Sequence, residues 1–297
     1  MLDLPSFLLL VNSKRASREL SMRSVQGAVA VVTGAGSGIG RALAVQLGAL
    51  GAELALADVN AAALDETRKL VGTAKAKTYT VDVAQAAAVE GFALAVQRDF
   101  GKVSLLINNA GVALFGTFAE LTLAEIEWLI RINFWGVIHG CKFFLPLLER
   151  EPEAHIVNIS SVFGLFGPPG QTAYSSSKFA VRGFSECLRE ELRAGSIRVT
   201  CVHPAGIATR IVENARAGAA TRLEDQQQAR ERAPQVLRIP PEKAAAVIIR
   251  GILRNKDRVL IGKDAYRIDL LQRLFPARAT AILSAWVQRQ IGTDDKH

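Results

Sequence analysis

The stretch that most constrains this chain is AVAVVTGAGSGIG, residues 28–40. A continuous apolar run ending in glycine is what a strand buried on both faces requires. Glycines follow at 34, 36, 38 and 40, and they open a segment that reads as a helix over 39–50. Glycine accepts positive φ and lets backbone approach a ligand, while a helix N-terminus favours negative charge. Strand, glycine turn and helix in this order make a phosphate-binding turn, with Gly34, Ser37, Gly38, Ile39 and Gly40 as its contacts. The spacing Gly34-x3-Gly38-x-Gly40 departs from the commoner G-x-G-x-x-G, and tight packing alone would also select glycine. A second apolar run, ELALADV (53–59), ends on Asp58, eighteen residues beyond Gly40. A carboxylate there accepts hydrogen bonds from a ribose 2′-hydroxyl and repels a 2′-phosphate, and Ser37 offers that phosphate no cation. Both features point to NAD over NADP, with an ordinary loop aspartate as the plain alternative.

The rest of the chain repeats the alternation. NAAALDETRKLVG (60–72) reads as a helix with Asn60 as N-cap and Gly72 at its end. KTYTVDV (77–83) is a third strand, 84–101 a helix and VSLLINNAG (103–111) a fourth strand. Residues 121–150 form one long helix, with a bend expected near Gly136 or Pro146. AHIVNISS (154–161) and SIRVTCVHP (196–204) are strands around a helix over 172–194. Region 207–238 reads as a mobile helical loop, 240–255 as a helix and 257–262 as the last strand. Strands and helices alternating at this spacing imply an α/β fold: one Rossmann-like, doubly wound, parallel seven-stranded sheet with helices on both faces. Three parts are expected: an appended arm over 1–24, the Rossmann-like domain over 25–262, and an amphipathic helical tail over 263–297.

Composition bounds the partners. With 49% hydrophobic residues the chain can bury a large core. The net charge of +8 invites a nucleic-acid reading, but the cations are scattered and no basic run is interleaved with aromatics, so none is expected. The apolar run PSFLLLV (5–11) is too short to span a membrane. Cys141, Cys187 and Cys201 lack paired spacing, which fits free thiols in a reducing, cytoplasmic setting, two of them buried in apolar segments. The four histidines do not cluster, so no metal is expected.

Tyr174 and Lys178 lie four apart on the expected helix 172–194, and therefore on one face. Such a pair is ordinarily a solvated surface pair. Held near the phenol, the ammonium would favour the phenolate and lower a pKa that is normally about 10, giving a proton-exchanging group near neutrality.

Taken together, TGAGSGIG, Asp82-Val83, NNAG (108–111), Asn133, Ser161, Tyr174-SSS-Lys178 and His203-PAG (203–206) resemble, in order, the signature set of the short-chain dehydrogenase/reductase family. The resemblance covers roughly 27–262 and rests on separated motifs all in register. It implies an enzyme that transfers hydride between a nicotinamide and a carbinol or carbonyl carbon. By the same resemblance, Tyr174 is the general acid/base, Lys178 tunes it and holds the nicotinamide ribose, Ser161 binds the reacting oxygen, and Asn133 steadies a proton-relay water. Asp82 and Val83 would flank the adenine; Asn108, Asn109, Ala110 and Gly111 would support the cofactor, and Pro204, Gly206, Ile207 and Thr209 would meet its nicotinamide end. Ala205 stands where the family more often has glycine, and its methyl is expected to narrow the approach to the nicotinamide.

Position after the serine makes Val162, Phe163, Leu165 and Phe166 a mostly apolar substrate wall, with Gln171 and His203 beside it, although a histidine before Pro204 at a strand end is more often structural. A hydrophobic secondary alcohol or ketone is the expected substrate, and a homodimer or homotetramer the expected assembly by resemblance. Three rival readings use the same residues: an NADP-dependent carbonyl reductase, a steroid or lipid dehydrogenase touching a membrane through the stripe of 265–291, and a non-catalytic NAD-binding sensor.

Overall fold

The computed structural model describes residues 22, 24–72 and 74–291. The arm 1–24 therefore lies mostly outside the described residues, as does the end of the tail from 292. Met22 and Val25 are buried in the core, packed with residues of the first strand and helix.

Strand β1 (Val29–Thr33) leads into α1 (Gly38–Ala49), β2 (Glu53–Asp58), α2 (Ala61–Val71), β3 (Ala76–Thr80), α3 (Ala86–Phe100) and β4 (Leu105–Asn108). A short β5 (Leu114–Phe115) precedes α4 (Leu123–Ile130) and α5 (Gly136–Leu148). Then come β6 (Ala154–Ile159), α6 (Thr172–Glu191), β7 (Ile197–Pro204), β8 (Arg216–Ala217), α7 (Leu223–Val236), α8 (Pro241–Leu253) and β9 (Arg258–Ile261). Helices α9 (Lys263–Leu274) and α10 (Ala279–Ile291) close the described chain.

Seven strands form one parallel sheet in the order β3-β2-β1-β4-β6-β7-β9, so the order reverses between β1 and β4. The apolar runs are buried because both faces are covered. Leu43 and Leu47 of α1, Leu64 of α2 and Ile248 and Ile252 of α8 pack on one face. Phe92 of α3, Phe144 of α5 and Val181 and Leu188 of α6 pack on the other. In such folds the crevice beyond the strand ends at the reversal is where ligands bind.

Several boundaries differ from the sequence expectation for identifiable reasons. The third strand stops at Thr80 because its partner β2 stops at Asp58, the last paired residue, which leaves Val81–Val83 as loop. The fourth stops at Asn108 because the next two N–H groups leave the ladder. Asn109 and Ala110 donate instead to Thr33 Oγ1, at 3.0 and 3.1 Å. The long helix changes to a π turn at Arg131–Trp135, immediately before Gly136, and α5 runs on through Pro146. Region 207–238 carries more order than expected: β8 pairs in parallel with β5, a contact spanning about a hundred residues of chain, and α7 follows. Cys141 and Cys201 are buried thiols and Cys187 is an exposed one.

Candidate active site

The glycine turn is shaped by close approaches. Gly34 has φ +65°, and a Cβ on it would come within 2.8 Å of Ala110 Cα. Gly38 has φ +52°, with Thr209 Cγ2 at 2.9 Å from the position a Cβ would take. Gly40 does not face the cleft: a Cβ there would overlap the Gly34 carbonyl oxygen, so this glycine lets α1 pack against the end of β1. Ser37, the N-cap of α1, makes no side-chain cap, and no carboxylate sits in the first turn. The open N–H groups of that turn, together with the helix dipole, suit an anion. Asp58 braces the turn from β2, accepting from Gly36 N at 2.9 Å and Asn60 N at 3.0 Å.

These groups line one cleft of about 670 Å³. Every cofactor residue expected from sequence borders it except Gly40 and Asn108. Asn108 is buried on the far side, donating to Asn158 Oδ1 at 2.9 Å; its neighbour Asn109 is the one that faces the turn, donating to Thr33 O and Gly34 O. Asp82 caps its own loop through Ala84 N at 3.0 Å, and Val83 O accepts from His139 Nδ1.

At the other end of the cleft Ser161, Tyr174 and Lys178 come together with Asn133 behind them. Ser161 Oγ accepts from Phe163 N at 3.1 Å, which leaves its O–H to donate to the Tyr174 phenol. Burial raises the Tyr174 pKa, and the Ser161 hydrogen bond pulls it back down. Lys178 is buried and pushed down to about 8; its ammonium donates to Ile159 O at 3.1 Å and lies 5.7 Å from the centre of the Tyr174 ring. The Ser161 hydrogen bond favours the phenolate against the effect of burial, and the Lys178 ammonium, bonded to the end of β6, stands beside the ring. Asn133, inside the π turn, uses its amide on Val112, donating to Val112 O at 3.0 Å and accepting from Val112 N at 2.8 Å. It also donates to Ser177 Oγ at 3.2 Å, so it ties the loop after β4 to α6. π turns of this kind recur at functional sites.

Of the substrate residues, Phe163 and Gln171 border the cleft, with Phe163 edge-on to Tyr174 at 6.2 Å. Leu165, Phe166 and His203 do not. Leu165 and Phe166 are buried against Ala205, Ala265 and Ile268, beneath the C-terminal helices. His203 is fully buried, its Nδ1 donating to Ser161 O at 3.0 Å, and burial pushes it down to about 4, so it stays neutral and behind the wall. Ala205 belongs to the same buried cluster, so its methyl fills core and does not narrow the cleft. Sequence reasoning missed Arg41, Val112, Ile132 and Ile211, all of which border the cleft. Adjacency was the available signal: Val112 follows NNAG, Ile132 precedes Asn133, and Arg41 follows Gly40.

Ser161→Ala removes the hydrogen bond that favours phenolate, so the Tyr174 pKa should rise further. On the general-base role proposed below for Tyr174, the alkaline-going limb of an alcohol-oxidation pH profile should then move to higher pH. A profile that stays in place would show that Ser161 does not tune the phenol.

The comparisons with known proteins decide the family. A sequence model described as short chain dehydrogenase matches residues 28–220. The chain belongs to the short-chain dehydrogenase family. It is 43% identical over 273 residues to the putative oxidoreductase SadH of Mycobacterium tuberculosis, covering 90% of this chain and 98% of that one. It is 36% identical over 270 residues to epidermal retinol dehydrogenase 2 of Mus musculus, covering 89% and 82%. A short-chain dehydrogenase/reductase from Burkholderia phymatum, solved in complex with NAD, superposes with a TM-score of 0.80 at 32% identity, over 85% of this chain and 95% of that one. The family is one of oxidoreductases with a Rossmann fold, and this chain is an oxidoreductase of that family. Among the described residues no helix is long and apolar enough to cross a membrane, and no group of metal-binding side chains occurs.

Proposed function

We propose that the chain is an NAD-dependent dehydrogenase/reductase that interconverts a secondary alcohol and a carbonyl on a largely hydrophobic small molecule, with Tyr174 as general acid/base. The observation that carries this reading is that one cleft joins an anion-ready helix N-terminus to the half-buried Tyr174 with buried Ser161 and Lys178 beside it. The glycine cradle, which any Cβ at Gly34 would obstruct, fits a dinucleotide. Residues 34–39 would hold its pyrophosphate, Asp58 its adenosine ribose, Asp82 and Val83 its adenine, and Asn109–Gly111 with Gly206–Thr209 its nicotinamide end. When bound, the nicotinamide supplies the hydride acceptor or donor.

The protein's own contribution is proton handling and exclusion of water. In oxidation the Tyr174 phenolate takes the hydroxyl proton. Ser161 Oγ–H then stabilises charge on the substrate oxygen, and the Lys178 ammonium adds a positive field within the buried site. Phe163, Val162 and Ile211 give the substrate end an apolar lining, which supports an alcohol or ketone of hydrophobic character. Exposed Trp135 and Phe179, on the π turn and α6, support pairing of copies through these helices as a homodimer or homotetramer.

NAD is favoured over NADP by two features of the adenosine end. Asp58 places a carboxylate at the turn, and the nearest cation, Arg41, is already engaged by Glu66 at 2.8 Å, Gly36 O at 2.5 Å and Thr67 Oγ1 at 3.1 Å. Titrating tryptophan quenching with NADH and NADPH should therefore give the tighter Kd for NADH. Asp58→Asn keeps an acceptor oxygen but removes the charge, and should improve the NADPH-to-NADH affinity ratio by about tenfold or more. An unchanged ratio would return the NADP-dependent reading to first place.

A further inference from the structure

The C-terminal helices cover the back of the substrate wall, and among the described residues nothing covers the outer face of α9. Ala265 and Ile268 of α9 and Leu283 of α10 are buried with Val162, Leu165 and Phe166. On the other side of α9, Tyr266, Leu270 and Leu274 follow one another at intervals of four, which aligns them on one face. They are 60%, 58% and 62% exposed. Phe275 and Ile282 extend the exposed apolar surface toward α10. Large side chains in such a row mark an interaction surface more than scattered single ones would.

The charge around the row says what kind of surface it meets. Lys263, Arg267, Arg273 and Arg278 are all exposed. The carboxylates among them are Asp264, paired with Arg267, and Asp269, which is held by Arg258 of β9 as well as by Arg273. Lys263 and Arg278 have no ion-pair partner among the described residues. We propose that this face docks on an anionic phospholipid membrane, with the apolar row at the headgroup–acyl boundary and the cations against lipid phosphates and carboxylates. A second copy brought to the same face would set cations against cations. The arm 1–21, with Lys14, Arg15 and Arg18 against Asp3 and Glu19, carries the same excess. Lipid of opposite sign is the complementary occupant, and an apolar stripe flanked by Lys and Arg is the pattern of helices that lie in a membrane interface. The docked face would set the substrate wall beside the bilayer, a consequence that rests on the dehydrogenase reading; membrane binding itself is measured without turnover and stands apart from it.

The test is flotation of the full chain with vesicles of phosphatidylcholine alone and of phosphatidylcholine with about 30% phosphatidylserine. The protein should float with the anionic vesicles only and be released by salt. Leu270→Glu combined with Leu274→Glu should abolish flotation, and both positions are exposed enough that the melting temperature should hold. Arg278→Gln should weaken binding about fivefold, the effect of one cation near an anionic surface, and it keeps the test intact if the double variant unfolds. Failure of the full chain to float, or flotation that these substitutions leave unchanged, overturns the proposal. So does a double variant that only converts an oligomer to a monomer in light scattering, which would make the face a contact between copies.

Discussion

Tyr174→Phe should lower turnover by about a thousandfold while leaving NADH affinity almost unchanged. The magnitude is that of a positioned general acid/base, about 10²–10⁴. The substitution removes one oxygen and keeps the ring that packs edge-on to Phe163 at 6.2 Å, so the wall and the helix should be undisturbed. The lost contact is the Ser161 hydrogen bond. The measurement is initial rate across secondary alcohols and ketones, followed by NADH absorbance, beside NADH binding by fluorescence. A variant that kept most of the wild-type rate would refute the assignment of Tyr174. A wild type that binds NADH but turns over nothing in that panel would favour the sensor reading, since binding alone needs only the glycine end of the cleft.

The sheet was legible because its strands are buried on both faces, so β1, β2 and β4 carry unbroken apolar runs, and because the glycine turn fixes where the first helix begins. Strand ends were less legible, since they depend on a neighbour. Thr33 on β1 captures the N–H groups of Asn109 and Ala110 and so decides where β4 stops. That one event also decides which asparagine of NNAG meets the cleft: Asn108, still in the strand, points into the sheet, and Asn109, just past it, faces the turn. The pairing of Leu114–Phe115 with Arg216–Ala217 left no trace in the sequence, because two residues carry no periodicity and the partner is remote.

The Ser161–Tyr174–Lys178 group was legible as a set and not in its electrostatics. Spacing alone puts Tyr174 and Lys178 on one face of α6. The direction of a pKa depends on what else surrounds the pair, and here burial acts on both, raising the phenol and lowering the ammonium. Phe166 was misplaced for a related reason, and His203 took the structural one of its two readings. Each adjoins a functional residue in sequence, yet its side chain turns inward: Phe166 under the C-terminal helices, His203 onto the Ser161 carbonyl. A row of apolar residues after a catalytic serine can equally be a wall or the core behind it, and the tail that packs there decides which.

Gly40→Ala should be the most damaging single methyl in the cofactor half of the molecule. Gly40 lies inside α1 and does not have positive φ, so helix propensity alone would welcome alanine there. Packing is the obstacle. The new Cβ would overlap Gly34 O and come within 2.6 Å of Asn109 Nδ2. That oxygen is backbone, at the exit of β1, and it accepts from the same Asn109 amide at 3.2 Å. Relief requires moving α1 away from β1 or pulling Gly34 off Asn109, and either movement takes the open N–H groups of α1 out of the turn. Overpacking of a close-packed site costs about 1–3 kcal/mol and sometimes more, or roughly 5 °C in melting temperature for a chain of this size. NADH affinity should fall further than stability does, by about a hundredfold, since the displaced element is the one that would hold the pyrophosphate. Gly38→Ala is the informative comparison. It meets positive φ, worth about 1 kcal/mol, and the Thr209 methyl at 2.9 Å, a side chain on a loop that can yield. Thermal melts and NADH titrations of the two variants should therefore rank Gly40→Ala well below Gly38→Ala in both measures. Equal losses would mean that the turn's conformation, and not the helix–strand contact, is what the glycines protect.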